Sequence, residues 1–480
     1  METIHFKTVD PVSQDLLRDA ARKGICLNWE RYEKQQPQDG FLRLGLCCPY
    51  GCMQGPCRID PFGRGTQHGI CGLDRDGMAA AFLLRLSLQG ALETMALHPA
   101  GAEIAWPAPL ASKAAAVLGE TGGQPPTFAD ILEGSRMLAR PSATPATLIR
   151  QAIRLALLSA GLHGQAKPAP AVRAVRVGYG LLAGDAIRIG VTGRIPQADV
   201  EALLKETAGL KNPEVHLLSL GDWIPAGEGF LPIACTAGEA ETVLTSGKLN
   251  LILAGDGCDP GILALCGKMK LPIVSFANNA GAAEILKRAG DAFNRRIPDA
   301  FTFDAALITE GKVNFEKNDV LSALKSGGSA RIALIGGADT PLLSLGHLPT
   351  ELAKALRAED HAVASWGDAA LWMMKQEIPV GVLDAEEGPM TAVRTLTDAG
   401  RLPSLKGICF TGLRNNREFT LALGLAAVGL KVLIATPLPL WGSEKVRTLL
   451  RDNLAVAGGI LTHFDRPVRP DEVLDWFLRS

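Results

Sequence analysis

Apolar positions recur at the helical spacing through the first third of the chain. Asp15-Leu16-Leu17 to Lys23 forms one such run, closed by Gly24. Met78 to His98 forms a longer one, in which Phe82, Leu83, Leu86, Ala91 and Met95 fall near one face of a helix. Thr147 to Gly161 forms a third, and the segment from Gln14 to Ala166 reads as helical throughout. Gln165-Ala166-Lys167-Pro168-Ala169-Pro170 then reads as a linker.

Beyond it the period changes. Short apolar runs appear, each followed by Gly, Asp or Pro: Ile187–Val191, Val215–Leu218, Leu249–Ala254 and Pro272–Ser275. A second set comprises Arg331–Ile335, Ala362–Ser365, Gly407–Phe410, Lys431–Ala435 and Gly459–Thr462. Helical stretches such as Asp199–Thr207 and Ala282–Arg288 lie between them, an alternation that predicts parallel sheets covered by helices. The expected organisation is an N-terminal helical domain, residues 1–170, followed by two Rossmann-like parallel α/β domains, 171–320 and 321–480, meeting between Asn294 and Gly328. Ligands of such sheets bind beyond the carboxyl ends of the strands. Thr192, Cys258, Gly337 and Asp368 end or closely follow a strand, Cys235 follows an apolar run, and Cys409 lies inside its strand near the end.

Composition narrows the functional classes. The 480 residues carry 49 Lys and Arg against 50 Asp and Glu, so binding to nucleic acid by phosphate neutralisation is not expected. The apolar runs fall short of a membrane span. The polar segment Met1–Asp10 lacks the apolar core of a secretory signal, so a cytoplasmic location is expected. Disulfides are uncommon there, and ten cysteines need another account. Neither Gly178-Tyr179-Gly180 nor Gly336-Gly337 completes a dinucleotide fingerprint.

Six cysteines, Cys26, Cys47, Cys48, Cys52, Cys57 and Cys71, fall within the first 71 residues. Three thiols within ten residues of a Gly- and Pro-rich loop can wrap one inorganic centre, with Cys71 arriving from the start of the next helix. Exposed backbone N–H groups of such a loop can bond to cluster sulfurs. Four thiolates also suit tetrahedral zinc, and spacing alone leaves both open.

The run Cys47-Cys48, Cys52-Met53-Gln54-Gly55-Pro56-Cys57-Arg58-Ile59-Asp60-Pro61-Phe62-Gly63 and Gly69-Ile70-Cys71-Gly72 resembles the N-terminal cluster region of the nickel–iron anaerobic carbon monoxide dehydrogenases. The flanking Arg31-Tyr32-Glu33-Lys34-Gln35-Gln36-Pro37-Gln38 and Phe82-Leu83-Leu84-Arg85 extend the match. The resemblance implies a shortened, partly degenerate member, related also to the hybrid cluster proteins. It implies a [4Fe–4S] relay cluster on Cys48, Cys52, Cys57 and Cys71, although three residues separate Cys48 from Cys52 where the family has two, so Cys47 is an alternative first ligand. A cluster shared across a homodimer would use Cys47 with either Cys26 or Asp39.

For the family's central nickel–iron–sulfur centre, the resemblance implies Cys235, Cys258 and Cys409 as surviving thiolates and Lys445, in Trp441-Gly442-Ser443-Glu444-Lys445, as the proton-handling lysine. Thr192, Gly337 and Asp368 stand where the family has one His and two Cys. Asp368 could supply an oxygen ligand to a four-iron cluster, whereas loss of two thiolates makes nickel doubtful. The implied reaction takes CO and water to CO2, protons and electrons, with an electron carrier such as a ferredoxin as partner. An iron-only centre with other reductive chemistry, or a non-enzymatic electron-transfer or sensing protein, are the alternatives.

Overall fold

The computed structural model describes residues 7–35, 43–98, 102, 104–121, 124–163, 174–210, 213–227, 229–276, 281–295, 301–303, 311–314, 331–383 and 388–479. Asp39, the linker around Gln165–Pro170 and most of the expected junction before Gly328 lie outside them.

The N-terminal part is helical, as its periodicity predicts: Pro11–Arg22, Asn28–Lys34, Arg75–Ala96, Ala108–Thr121, Phe128–Ala139 and Pro145–His163. Asp10 starts the first helix by accepting from the Val12 amide at 2.8 Å, with Pro11 in the first turn, where its missing N–H costs nothing. Asp74 caps the Arg75–Ala96 helix through the Gly77 amide at 2.8 Å.

Two sheets follow. The first has seven strands in the order β8-β7-β2-β3-β6-β1-β9, where β1 is Ala174–Val177, β2 Ile187–Thr192, β3 Val215–Leu220, β6 Ile233–Cys235, β7 Leu251–Ala254, β8 Ile273–Ser275 and β9 Gly311–Asn314. All neighbours run parallel except β9, which pairs antiparallel with β1 at the edge. Every residue of β2 is buried, as a central parallel strand covered on both faces requires. Pro225–Ala226 and Gly229–Phe230 form a separate small hairpin, β4 and β5. The second sheet is all parallel, in the order β12-β11-β10-β13-β14-β15: β10 Arg331–Gly337, β11 His361–Trp366, β12 Gly381–Val382, β13 Leu405–Phe410, β14 Lys431–Ile434 and β15 Ile460–His463.

The helical region does not keep a core of its own. Leu83, Leu84, Leu148 and Leu155 join Leu423, Ile408, Phe410 and Ile434 in one buried apolar cluster, so the N-terminal helices cover one face of the second sheet. Gly90 makes the approach possible, because a Cβ there would strike Thr420 Oγ1 and the Asn416 carbonyl of the Asn416–Ala427 helix. The sheet's opposite face carries Ala333, Ile335, Cys409 and Leu433 into a second cluster. The two sheets meet with the carboxyl ends of their strands lining a common cavity.

Candidate metal centre

A short ladder shapes the N-terminal loop. The Cys48 amide donates to the Cys57 carbonyl at 2.9 Å, and Ile59 to Leu46 at 3.0 Å, which sets Cys48 beside Cys57. The Asp60 carboxylate takes the amides of Arg64 and Gly65 and holds the following turn. That turn returns the chain so that the Ile70 amide donates to Cys57 Sγ at 3.5 Å, one residue before Cys71. The Cys48 thiol is pushed up by burial, relieved by the Tyr50 backbone N–H, and pushed further by the neighbouring thiols of Cys57, Cys52 and Cys71. Leu46, Ile59 and Met78 are fully buried behind the loop, while Cys52 and Cys71 are exposed. Arg85 anchors the loop by donating to the Pro49 carbonyl at 3.1 Å. The Tyr50 ring packs against the helical core, and its buried hydroxyl has no hydrogen-bond partner among the described residues. Cys47 is half-buried and bridges to Arg58. Cys26 receives the Lys34 ammonium at 3.5 Å.

The cavity between the sheets has a volume of about 440 Å³ and is walled by loops that follow β2, β3, β7, β10, β11 and β13. Five acids line it, Glu93, Asp222, Asp256, Asp368 and Glu418, against three arginines, Arg194, Arg414 and Arg417. None of the lining residues is a cysteine. Asp222 ties the wall together: it accepts from the Gly193 amide at 2.8 Å and from Arg414 Nη1 at 3.2 Å. Glu418 accepts the Arg414 amide at 2.7 Å, and burial pushes its carboxyl up to about 7.

Asp368 lines this cavity from the first turn of the Gly367–Lys375 helix. Its two oxygens accept the Ala237 amide at 3.1 Å and the Asp339 amide at 2.9 Å. The guanidinium that offsets its charge is Arg414, not Lys445. Cys235 ends β6 fully buried, and its thiol is pushed far up by burial and by Glu239. Cys258 lies behind Gly257 of the wall, where burial raises its thiol and the Thr192 side chain bonds to it. Both thiols interact electrostatically with Asp222.

Two expected members depart from this arrangement. Cys409 sits in mid-sheet, paired in register with Ile335 and Leu433, and its side chain enters the apolar core on the far face. Strand alternation decides this: Phe410, the next residue, faces the other way. Lys445 is 62% exposed and pairs at 3.7 Å with Asp76, because the Glu444–Ala455 helix starts beside the N-terminal helices rather than at the cavity. Among the described residues, no group of three or more His, Cys, Asp and Glu side chains stands as a site for a single metal ion. Gly337, at an expected cysteine position, has φ +111°, and a Cβ there would lie 2.5 Å from the Gly412 carbonyl oxygen.

Sequence reasoning missed Asp222, Arg414 and Glu418, although each follows a predicted strand and the strand-end rule reaches all three. It also missed Lys375, fully buried between Asp10 at 2.7 Å and Glu239 at 2.8 Å. No local pattern marks a lysine whose partners lie in distant elements.

No family model matches the chain. Its N-terminal part is 50% identical over 90 residues to carbon monoxide dehydrogenase 1 of Methanosarcina mazei, a match covering 19% of this chain and 14% of that relative. Carbon monoxide dehydrogenase of Rhodospirillum rubrum is 49% identical over 81 residues, 17% of this chain and 12% of its own length. The chain is a relative of the carbon monoxide dehydrogenases. Its fold agrees along its whole length. Carbon monoxide dehydrogenase IV from Carboxydothermus hydrogenoformans superposes with a TM-score of 0.75, covering 99% of this chain and 98% of that one at 19% identity. A nickel-free carbon monoxide dehydrogenase from Thermococcus sp. AM4 gives 0.77, with 99% and 97% covered at 18% identity. The similarity to these dehydrogenases is therefore concentrated in sequence around the cysteine loop, whereas the α/β domains share mainly their fold.

Proposed function

We propose that this chain is an iron–sulfur oxidoreductase that holds one [4Fe–4S] cluster on Cys48, Cys52, Cys57 and Cys71 and has given up the nickel centre of its relatives. The observation that carries this reading is the loop's own hydrogen bonding, in which the Cys48 amide donates to the Cys57 carbonyl and the Ile70 amide, one residue before Cys71, donates to Cys57 Sγ. The loop suits such a group: thiol donors, backbone N–H groups of Tyr50 and Ile70 directed at sulfur, and an apolar backing of Leu46, Ile59 and Met78. When bound, the cluster supplies one-electron transfer. Exposed Cys52 and Cys71, with exposed Met53, Phe62 and Ile70, present this end to an electron carrier such as a ferredoxin, or to a second copy of the chain in a homodimer.

The cavity does not fit a nickel–iron–sulfur centre. Its wall offers carboxylates and guanidinium groups, and Cys409 is turned into the core. Soft thiolates are what would select nickel there. Small polar substrates are instead held by Arg194, Arg414 and Arg417, and Glu418 can exchange a proton near neutral pH.

A second reading is favoured by one feature. Cys235 and Cys258 both interact with Asp222, close to Asp368, so an iron-only centre using these groups would give a hybrid-cluster-like reductive enzyme. Metal and sulfide analysis of anaerobically purified protein separates the readings. About four irons per chain without nickel supports the single cluster, and about eight supports the iron-only centre. Stoichiometric nickel with CO-dependent dye reduction would restore the relatives' reaction and sink both.

A further inference from the structure

Arg417 is the second residue of the Asn416–Ala427 helix, where its positive charge opposes the helix dipole. It lines the cavity between the sheets, and its Nη1 is buried with no acceptor among the described residues. The acids around it are committed elsewhere. Asp222 pairs with Arg414 at 3.2 Å, the Ala237 and Asp339 amides hold Asp368, and Glu93 accepts the Arg417 backbone amide at 3.3 Å. Glu418, the next residue, accepts the Arg414 amide, and burial keeps its carboxyl protonated up to about 7. A guanidinium drawn partly out of water without a counter-ion is costly, so its place in a cavity wall calls for an anion from outside the chain.

The same cavity has an apolar side. Ile195, Trp223, Ile224 and Pro225 line it from the loops after β2 and β3 of the first sheet, whereas Arg417 follows β13 of the second. An inorganic oxyanion gains nothing from such a surface, but a carbon chain does. The volume of about 440 Å³ lies within the range of about 300–1,000 Å³ that organic ligands occupy. We propose that the cavity binds a small organic carboxylate, with its carboxylate group on Arg417 and its carbon chain on Ile195, Trp223, Ile224 and Pro225. The inference rests on the reading that this cavity holds no metal cluster, and it narrows the small polar substrates of that reading to one class. The guanidinium fork can take both carboxylate oxygens at once. Arg194, exposed on the cavity wall, adds attraction for an incoming anion.

Isothermal titration calorimetry of the whole chain tests this, with anaerobically purified protein in Bis-Tris chloride at slightly acid pH and constant ionic strength. The probes are sodium butanoate, sodium phosphate and n-butylammonium chloride. Butanoate should bind at one site per chain, about tenfold or more tighter than phosphate, and n-butylammonium should not bind. Arg417→Met should weaken butanoate about tenfold or more, the loss of one charge-assisted pair, and Arg417→Lys should recover part of it. If Arg417→Met does not fold, Arg417→Gln is read in its place. Butanoate binding that is absent from wild type, or unchanged without the guanidinium, overturns the proposal. Phosphate binding as tight as butanoate overturns it in favour of an inorganic anion, and preferred binding of n-butylammonium overturns it because the acids then dominate the cavity. Iron, sulfide and nickel analysis of the same samples separates the two levels. About four irons without nickel and without butanoate binding overturns this inference alone. About eight irons, or stoichiometric nickel, overturns the reading beneath it and this inference with it.

Discussion

Lys375 donates to both carboxylate oxygens of Glu239, at 2.8 and 2.9 Å, with both side chains almost wholly buried. Glu239 follows β6 of the first sheet, and Lys375 closes a helix of the second domain. Asp10 completes the ion cluster from the N-terminal helix, and the Tyr179 and Trp372 rings lie 4.4 Å from the ammonium. One lysine thus links all three parts of the chain.

Lys375→Met should lower stability by about 3–5 kcal/mol, because it strands two buried carboxylates without their cation. Adding Glu239→Gln should recover part of that loss, since the amide removes one of the stranded charges. Urea unfolding of the single and double variants at neutral pH measures both effects. Equal stability of Lys375→Met and wild type would show that the network is not closed as described.

Cys57→Ser and Cys71→Ser should each abolish the visible iron–sulfur absorbance, since each removes one of four thiolates. Cys409→Ser should leave that absorbance intact, because its thiol lies in the core of the second sheet. It should instead cost about 1–3 kcal/mol, the penalty for a buried hydroxyl in apolar surroundings. Anaerobic absorbance spectra with iron analysis, and thermal unfolding for Cys409→Ser, check this.

Two groups give stability opposite slopes with pH. Burial, reinforced by Arg447, lowers His463 to about 4, so between that value and ~6.5 the unfolded chain binds the extra proton. The His463 contribution is therefore present above ~6.5 and lost as pH falls toward 4. Glu418, raised by burial to about 7, keeps a proton that the unfolded chain releases above ~4.3. Its contribution is present below ~4.3 and lost as pH rises toward 7. His463→Phe should remove the rising slope and Glu418→Gln the falling one, each by at most ~4 kcal/mol across the window. Denaturant midpoints of the three proteins from pH 4 to pH 7 read the slopes directly.

Gly337→Cys should not rebuild a ligand. The residue has φ +111°, and its new Cβ would press on the Gly412 carbonyl oxygen. A loss of about 2 kcal/mol or more is expected, seen as a lower thermal midpoint, with no gain in bound nickel.

The loop of Cys48, Cys52, Cys57 and Cys71 was legible as a candidate metal site because it is local in sequence: one ladder and one turn shape it. The strands β7, β10 and β14 were legible because unbroken apolar runs leave a buried parallel strand no alternative. Cys409 was not legible as a core thiol, because a side chain's face depends on strand register, and a shift of one residue reverses it. Lys445 and Lys375 read alike along the chain, as lysines in short helices. Packing alone left one in solvent beside Asp76 and sealed the other between Asp10 and Glu239.

Local chemistry was thus decided by sequence: the cysteine loop, the alternation of strand and helix, and the near balance of charge, each set by residues close along the chain. The character of the cavity between the sheets was decided only by tertiary structure. Asp222, Asp256, Asp368, Arg414 and Glu418 come from beyond four strand ends scattered over nearly two hundred residues, and only the docking of two sheets brings their charges within reach of one another.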